Sequence, residues 1–86
     1  MLTHKKEENR IEWVEDGITS FIAYRENEGK FMLHYSEVPV EARGGGVGRR
    51  LVNETLDYLE NEGIEYVPIC SFIKHVANRR KQKESE

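Results

Sequence analysis

The chain is poor in everything that would staple, metallate or anchor it. It holds one cysteine, Cys70, in 86 residues, so no internal disulfide can form and no cluster of thiolates can gather a metal. Its three histidines, His4, His34 and His75, show none of the spacings of a metal site. No apolar run approaches the length that crosses a bilayer, and the stretch from Met1 to Glu8 lacks the apolar core of a secretion signal. These absences argue against a disulfide scaffold, a zinc module and a membrane span. They lead to the expectation of a soluble protein in a reducing, cytoplasmic compartment.

There is too little chain for two domains, so residues 1–86 are expected to form one. Hydrophobic residues make up 37% and charged residues 34%, enough apolar material for a core but a high charge for so short a sequence. The net charge of -3 is uneven. Residues 1–42 carry five basic and nine acidic side chains, whereas residues 43–86 carry eight and seven, so the second half suits a polyanionic ligand better.

That second half opens on Arg43-Gly44-Gly45-Gly46-Val47-Gly48-Arg49-Arg50, a turn almost free of side chains between a strand-like segment and an amphipathic helix. Glycines there let a ligand approach the backbone, and the unpaired N–H groups and positive dipole end of the following helix favour an anion. Arg43, Arg49 and Arg50 add positive charge suited to phosphate oxygens. A flexible linker is the plain alternative, but linkers carry serines rather than arginines and need no flanking strand and helix. Two phosphate motifs are missing. Arginine follows Gly48 where a nucleoside-triphosphate loop needs lysine and then Ser or Thr, and no choice of first glycine yields the third glycine of the dinucleotide fingerprint.

Arg43-Gly44-Gly45-Gly46-Val47-Gly48 does resemble the coenzyme A diphosphate loop of the GNAT N-acetyltransferase superfamily, [Q/R]-x-x-G-x-[G/A]. The preceding His34-Tyr35-Ser36-Glu37-Val38-Pro39 and the later Cys70-Ser71-Phe72 look like its small stand-alone branch, with Ser36 where that branch usually has Thr. The resemblance spans about Phe31 to Val76. It implies an α/β (α+β) fold of minimal GNAT type: an antiparallel meander, a strand-loop-helix-strand unit and a short C-terminal helix. It also implies that acetyl-CoA or coenzyme A is bound, that the backbone at Val38 and Val40 meets the pantetheine arm, and that residues 43–49 (Arg43, Gly44, Gly45, Gly46, Val47, Gly48 and Arg49) hold the diphosphate. The expected partners are coenzyme A and an amine acceptor.

Patterning along the chain fills in the elements. Strands are expected over Arg10–Glu15, Ile18–Arg25 and Lys30–Val38, separated by Asp16-Gly17 and Glu26-Asn27-Glu28-Gly29 turns. In the third, alternation places Phe31, Leu33, Tyr35 and Glu37 on one face and Met32, His34, Ser36 and Val38 on the other, with both faces covered near the strand's start. The spacing of Val47, Leu51, Val52, Leu56 and Leu59 predicts a helix from Val47 to Glu62, closed by Gly63. A strand over Ile64–Ile69 would return parallel beside the third by a right-handed crossover. A last helix from Phe72 to about Arg80 would turn Phe72, Ile73, Val76 and Ala77 inward, and Lys81–Glu86 reads as a polar tail.

Acetyl transfer needs a base and a polarised thioester. His34, Glu37 and Glu41 are the candidate bases. Cys70, between a strand and a helix N-terminus with Lys74 and His75 nearby, is a candidate nucleophile that could relay the acetyl group, or a small buried hydrophobe. Ser71 is placed either for the coenzyme site or to cap the last helix. The basic run Arg79-Arg80-Lys81-Gln82-Lys83 is followed by acidic residues and has no aromatics among its basic groups, which favours a solvated helix end over a nucleic-acid site. A catalytically inactive coenzyme-binding or interaction module remains the alternative to an enzyme.

Overall fold

The computed structural model describes residues 1–84, and no side chain beyond Lys81 is described. Its elements are β1 (Leu2–Lys5), β2 (Arg10–Glu15), β3 (Ile18–Asn27), β4 (Lys30–Glu37), α1 (Val47–Asn61), β5 (Tyr66–Pro68) and α2 (Ser71–Glu84), with short 3-10 turns at Lys6–Glu8 and Val40–Ala42. The five strands form one sheet in sequence order. Only the β4–β5 pair is parallel. This is the meander plus strand-loop-helix-strand architecture expected, a mixed α+β fold of minimal GNAT type.

Both helices pack on one face. Ile11 pairs with Ile22 and Tyr24 with Leu33, so these side chains share a surface, and with Phe31 they form one core with Leu51, Val52, Leu56 and Leu59 of α1 and Ile73 and Val76 of α2. The expectation that both faces of β4 are covered near its start is corrected: Phe31 and Leu33 are buried under the helices, but Met32 on the opposite face is only half-buried. On the other face Arg10 lies 3.6 Å over the Phe21 ring, and Phe21 sits 6.0 Å from Tyr35.

The N-terminal strand was not legible, since Leu2-Thr3-His4-Lys5 carries one apolar residue. It is held by pairing with β2 and by His4, whose ring nitrogens bond the hydroxyls of Tyr58 on α1 (2.8 Å) and Tyr24 on β3 (2.7 Å). Burial is the main cause that lowers the His4 pKa, with help from Lys6 and against Glu26.

At the end of α1, Gly63 has φ +69, and the N–H of Ile64 returns to the Leu59 carbonyl at 2.9 Å. That 6→1 bond is the left-handed stop read from the sequence. The following strand is shorter than its apolar run, and α2 runs past Arg80 through the first residues of the supposed tail. Residues 85 and 86 lie outside the described residues. Among the described residues no helix is long and apolar enough to cross a membrane.

Candidate functional site

The site begins with a fault in the β4 ladder. On β3, Ala23 faces Tyr35 but the next residue, Tyr24, faces Leu33, leaving His34 without a partner across the pair. One extra residue of this kind is a β-bulge, and it flips the alternation beyond it. The expected faces are therefore wrong past Leu33. Tyr35 and Glu37 turn to the open face beside Phe21, and Ser36, opposite Ile22, turns toward the helices.

The parallel pair with β5 also stops here. Its last register is Leu33 against Pro68, and the N–H groups of Ile69 and Cys70 both go to the Leu33 carbonyl, at 2.9 and 3.1 Å. From Tyr35 to Glu37, β4 keeps β3 on one side but has lost β5 on the other. The chain of β5 bends away into α2, whose first helical bond runs from Lys74 N–H to the Cys70 carbonyl at 2.9 Å. Cys70, not Ser71, is thus at the N-cap of α2.

The Cys70 sulfur sits 3.6 Å from the Ser36 hydroxyl. Burial pushes its pKa up. The N–H of Ile73, the Ser36 hydroxyl, and the N–H groups of Phe72 and Ser36 together outweigh that, so the thiol lies below its ordinary value. A helix N-terminus stabilises a thiolate in this way.

A cleft of about 660 Å³ lies beside this edge and is lined by Ser36 and Val38 of the strand end, the glycine turn, and facing residues of α1 and α2. α1 has no side chain bonded to its N-terminal N–H groups, and its N-cap, Gly46, is left-handed with φ +80. Gly46, Val47, Gly48 and Arg49 all line the cleft, so the unpaired donors of the first turn are available to an anion. Gly48 has a different task. A Cβ there would meet the Phe72 ring at 3.0 Å, so its bareness lets α2 close against the first turn of α1.

The three arginines of the loop divide. Arg50 is held by Glu15 of β2 in a two-pronged pair at 2.7 and 2.9 Å, which, with the indole N–H of Trp13, draws the Glu15 carboxyl down to about 2. Arg43 lines the cleft, yet its Nε donates to the Val38 carbonyl at 3.0 Å, steadying the strand end. Arg49 also lines the cleft.

Among the other residues singled out from sequence, Val38, Gly44 and Glu37 line the cleft, and Glu37 accepts a 2.6 Å bond from the Tyr35 hydroxyl. His34, Val40, Glu41, Gly45, Cys70 and Ser71 are not on its wall. Val40 is 74% exposed, and Cys70 is half-buried, reached past Ser36. Among the lining residues that sequence reasoning missed are Tyr35, Asn53, His75, Arg79 and Arg80, and it placed Phe72 in the core where it is 40% exposed on the cleft wall. The signal was available in the spacing: Phe72 with Val76, and His75 with Arg79, each recur one turn apart on the same helix.

A bulged strand parting from its parallel neighbour, with a bare helix N-terminus beside the gap, agrees with a comparison with known families. The family of GCN5-related N-acetyltransferases matches residues 10–85. The chain belongs to that family. Domains of this family carry out acyl transfer and generally use acetyl-CoA. The match begins at β2, so β1 and its His4 fastening precede the matched part. No curated protein matches the chain significantly.

Proposed function

We propose that the protein transfers acetyl from acetyl-CoA to an amine, with Cys70 carrying the acetyl group between them. The observation that supports this reading most is the place of the Cys70 sulfur: at the N-cap of α2, facing two helix N–H groups and Ser36, directly behind a cleft whose other wall is the glycine turn. The cleft suits the coenzyme. Its size is that of a ligand pocket, Cβ atoms at Gly44 and Gly45 would meet open space, and arginines flank the turn.

In this reading Arg43, Arg49 and the N–H groups of residues 44–48 hold the diphosphate. The carbonyls of Val38 and Val40 are already taken by Arg43, through Nε and the backbone N–H, so the pantetheine arm would meet this edge through N–H groups. Bound there, acetyl-CoA supplies an acetyl group activated as a thioester.

Cys70, as thiolate, attacks the carbonyl carbon. A sulfur–carbon bond forms on Cys70, and the coenzyme's own carbon–sulfur bond breaks, its thiolate departing. Glu37, held by Tyr35, takes the proton of the acceptor amine, which attacks the same carbon and releases the Cys70 thiolate. Glu37 is preferred as base to His34 and Glu41 because it alone of the three lines the cleft.

Mass spectrometry after incubation with acetyl-CoA tests this. One acetyl group should map to Cys70 and vanish on addition of an accepted amine, and Cys70→Ala should bind the coenzyme but form no adduct. Undiminished turnover by Cys70→Ala would overturn the relay and leave direct transfer. Bound coenzyme with neither adduct nor amine product would mark an inactive coenzyme-binding module.

A further inference from the structure

The cations of the molecule are not treated alike. Lys5, Arg10, Lys30, Arg50 and Arg80 each have a carboxylate within 4 Å. Arg43, Arg49, Arg79 and Arg80 line the cleft together with His75; Arg80 is taken by Asp57 and Glu60, and none of the other four has a carboxylate partner among the described residues. Like charges gathered in a groove repel one another, and an anion between them relieves that repulsion.

Their positions separate into two levels. Arg43 belongs to the turn. Arg49 and Asn53 lie one turn apart on α1, and His75 and Arg79 lie one turn apart on α2, all four on the cleft wall. The level of Arg79 is fixed by its neighbour. Arg80 donates to the Asn53 carbonyl at 3.2 Å and to Asn53 Oδ1 at 3.1 Å, and to Asp57 at 2.8 Å, pinning this part of α2 beside Asn53. Asn53 is seven residues beyond the N-cap Gly46, about 10 Å along α1. A single anionic group seated on the glycine turn would leave Arg79, the further of the two, facing nothing.

The cleft therefore has an order: Ser36, with Cys70 behind it, at the strand edge; the glycine turn beside Gly48 and Phe72; then Arg49 and His75; then Asn53 and Arg79. Coenzyme A has the same order from its thiol: pantetheine, diphosphate, and a ribose bearing a separate 3′-phosphate. We propose that Arg79 and His75 of α2, facing Arg49 and Asn53 of α1, form a second phosphate subsite that takes the 3′-phosphate. It makes the protein selective for coenzyme A over its dephospho form. The assignment rests on the reading that the turn holds the diphosphate. Guanidinium and imidazole donors supply charge-assisted bonds, and Asn53 is already oriented by Arg80.

Calorimetric titration of coenzyme A and of dephospho-coenzyme A tests both levels separately, using the intact protein, Arg79→Gln and Lys74→Gln. Arg79 is exposed, so its replacement leaves the core untouched. Lys74 is an exposed cation of the same helix that does not line this cleft. The intact protein should bind coenzyme A at least about tenfold tighter than the dephospho form, the loss expected for a hydrogen bond to a charged group. Arg79→Gln should shrink that gap to less than about threefold by weakening coenzyme A alone, and Lys74→Gln should preserve it. Equal affinity of the intact protein for both ligands, or an equal loss for both in Arg79→Gln, would overturn the subsite while the diphosphate reading stands. Failure to bind either ligand would overturn both.

Discussion

The two ends of β4 are built on opposite principles. At its start, Phe31 and Leu33 sit in continuous ladders, with β3 on one side and β5 on the other, over a core whose side chains are fully covered. At its end, the bulge at His34 and the departure of β5 leave an edge with one neighbour, and the helices that flank it present unpaired cations and uncapped N–H groups. The first end is satisfied internally. In the proposed reading a ligand satisfies the second, so that a domain this small would hold a stable core and a binding site on one strand.

Substitutions that strike one end and not the other sharpen that contrast. Leu56→Ala, in the fully buried core, should cost about 3 kcal/mol of stability in denaturant titrations and leave the coenzyme affinity of the folded fraction unchanged. Gly46→Asp should do the reverse. A carboxylate set against the diphosphate costs several kcal/mol, so affinity should fall by at least about a hundredfold, while the fold loses about 1 kcal/mol from the left-handed backbone at φ +80. A much larger loss of stability would place the turn with the first end.

Thr55 is the one place where the buried side is not satisfied: its hydroxyl is covered and has no partner among the described residues. Thr55→Val keeps the shape and should raise stability by about 1 kcal/mol; a loss would mean that the hydroxyl is bonded. The smallest effect concerns Glu15. Its hydrogen bonds to Arg50 and Trp13 hold it at about 2, so the stabilisation from ionised Glu15 is present above the ordinary carboxylate range and is lost as pH falls through about 2. Arg50→Ala should move the Glu15 midpoint back toward that range in an NMR titration, with no change in coenzyme binding, because Arg50 belongs to the paired set.

What could be read from the residues follows the same divide. α1, its glycine stop, the meander and the bare turn were legible because each rests on local chemistry: apolar spacing, Asp-Gly turns, glycines before a periodic helix. The bulge was not. Phe31, Leu33, Tyr35 and Glu37 alternate without interruption in the sequence, and only the pairing with β3 shows that one residue is extra. β1 escaped because its hold lies in distant partners, Tyr24 and Tyr58. Arg79 escaped because a basic run at a helix end resembles a solvated surface, and His75 because it was read only as a neighbour of Cys70; the role proposed for both depends on where Arg80 fastens α2 to α1. The N-cap position of Cys70 depended on a single backbone bond that shifts the helix start by one residue.

Amide chemical-shift mapping with coenzyme A tests the central claim most directly. Perturbations should concentrate on Ser36, on the turn from Gly44 to Gly48, and on Phe72 through Arg79, with β1 and β2 silent. Shifts centred on β1 and β2, or none at saturating coenzyme, would contradict the account.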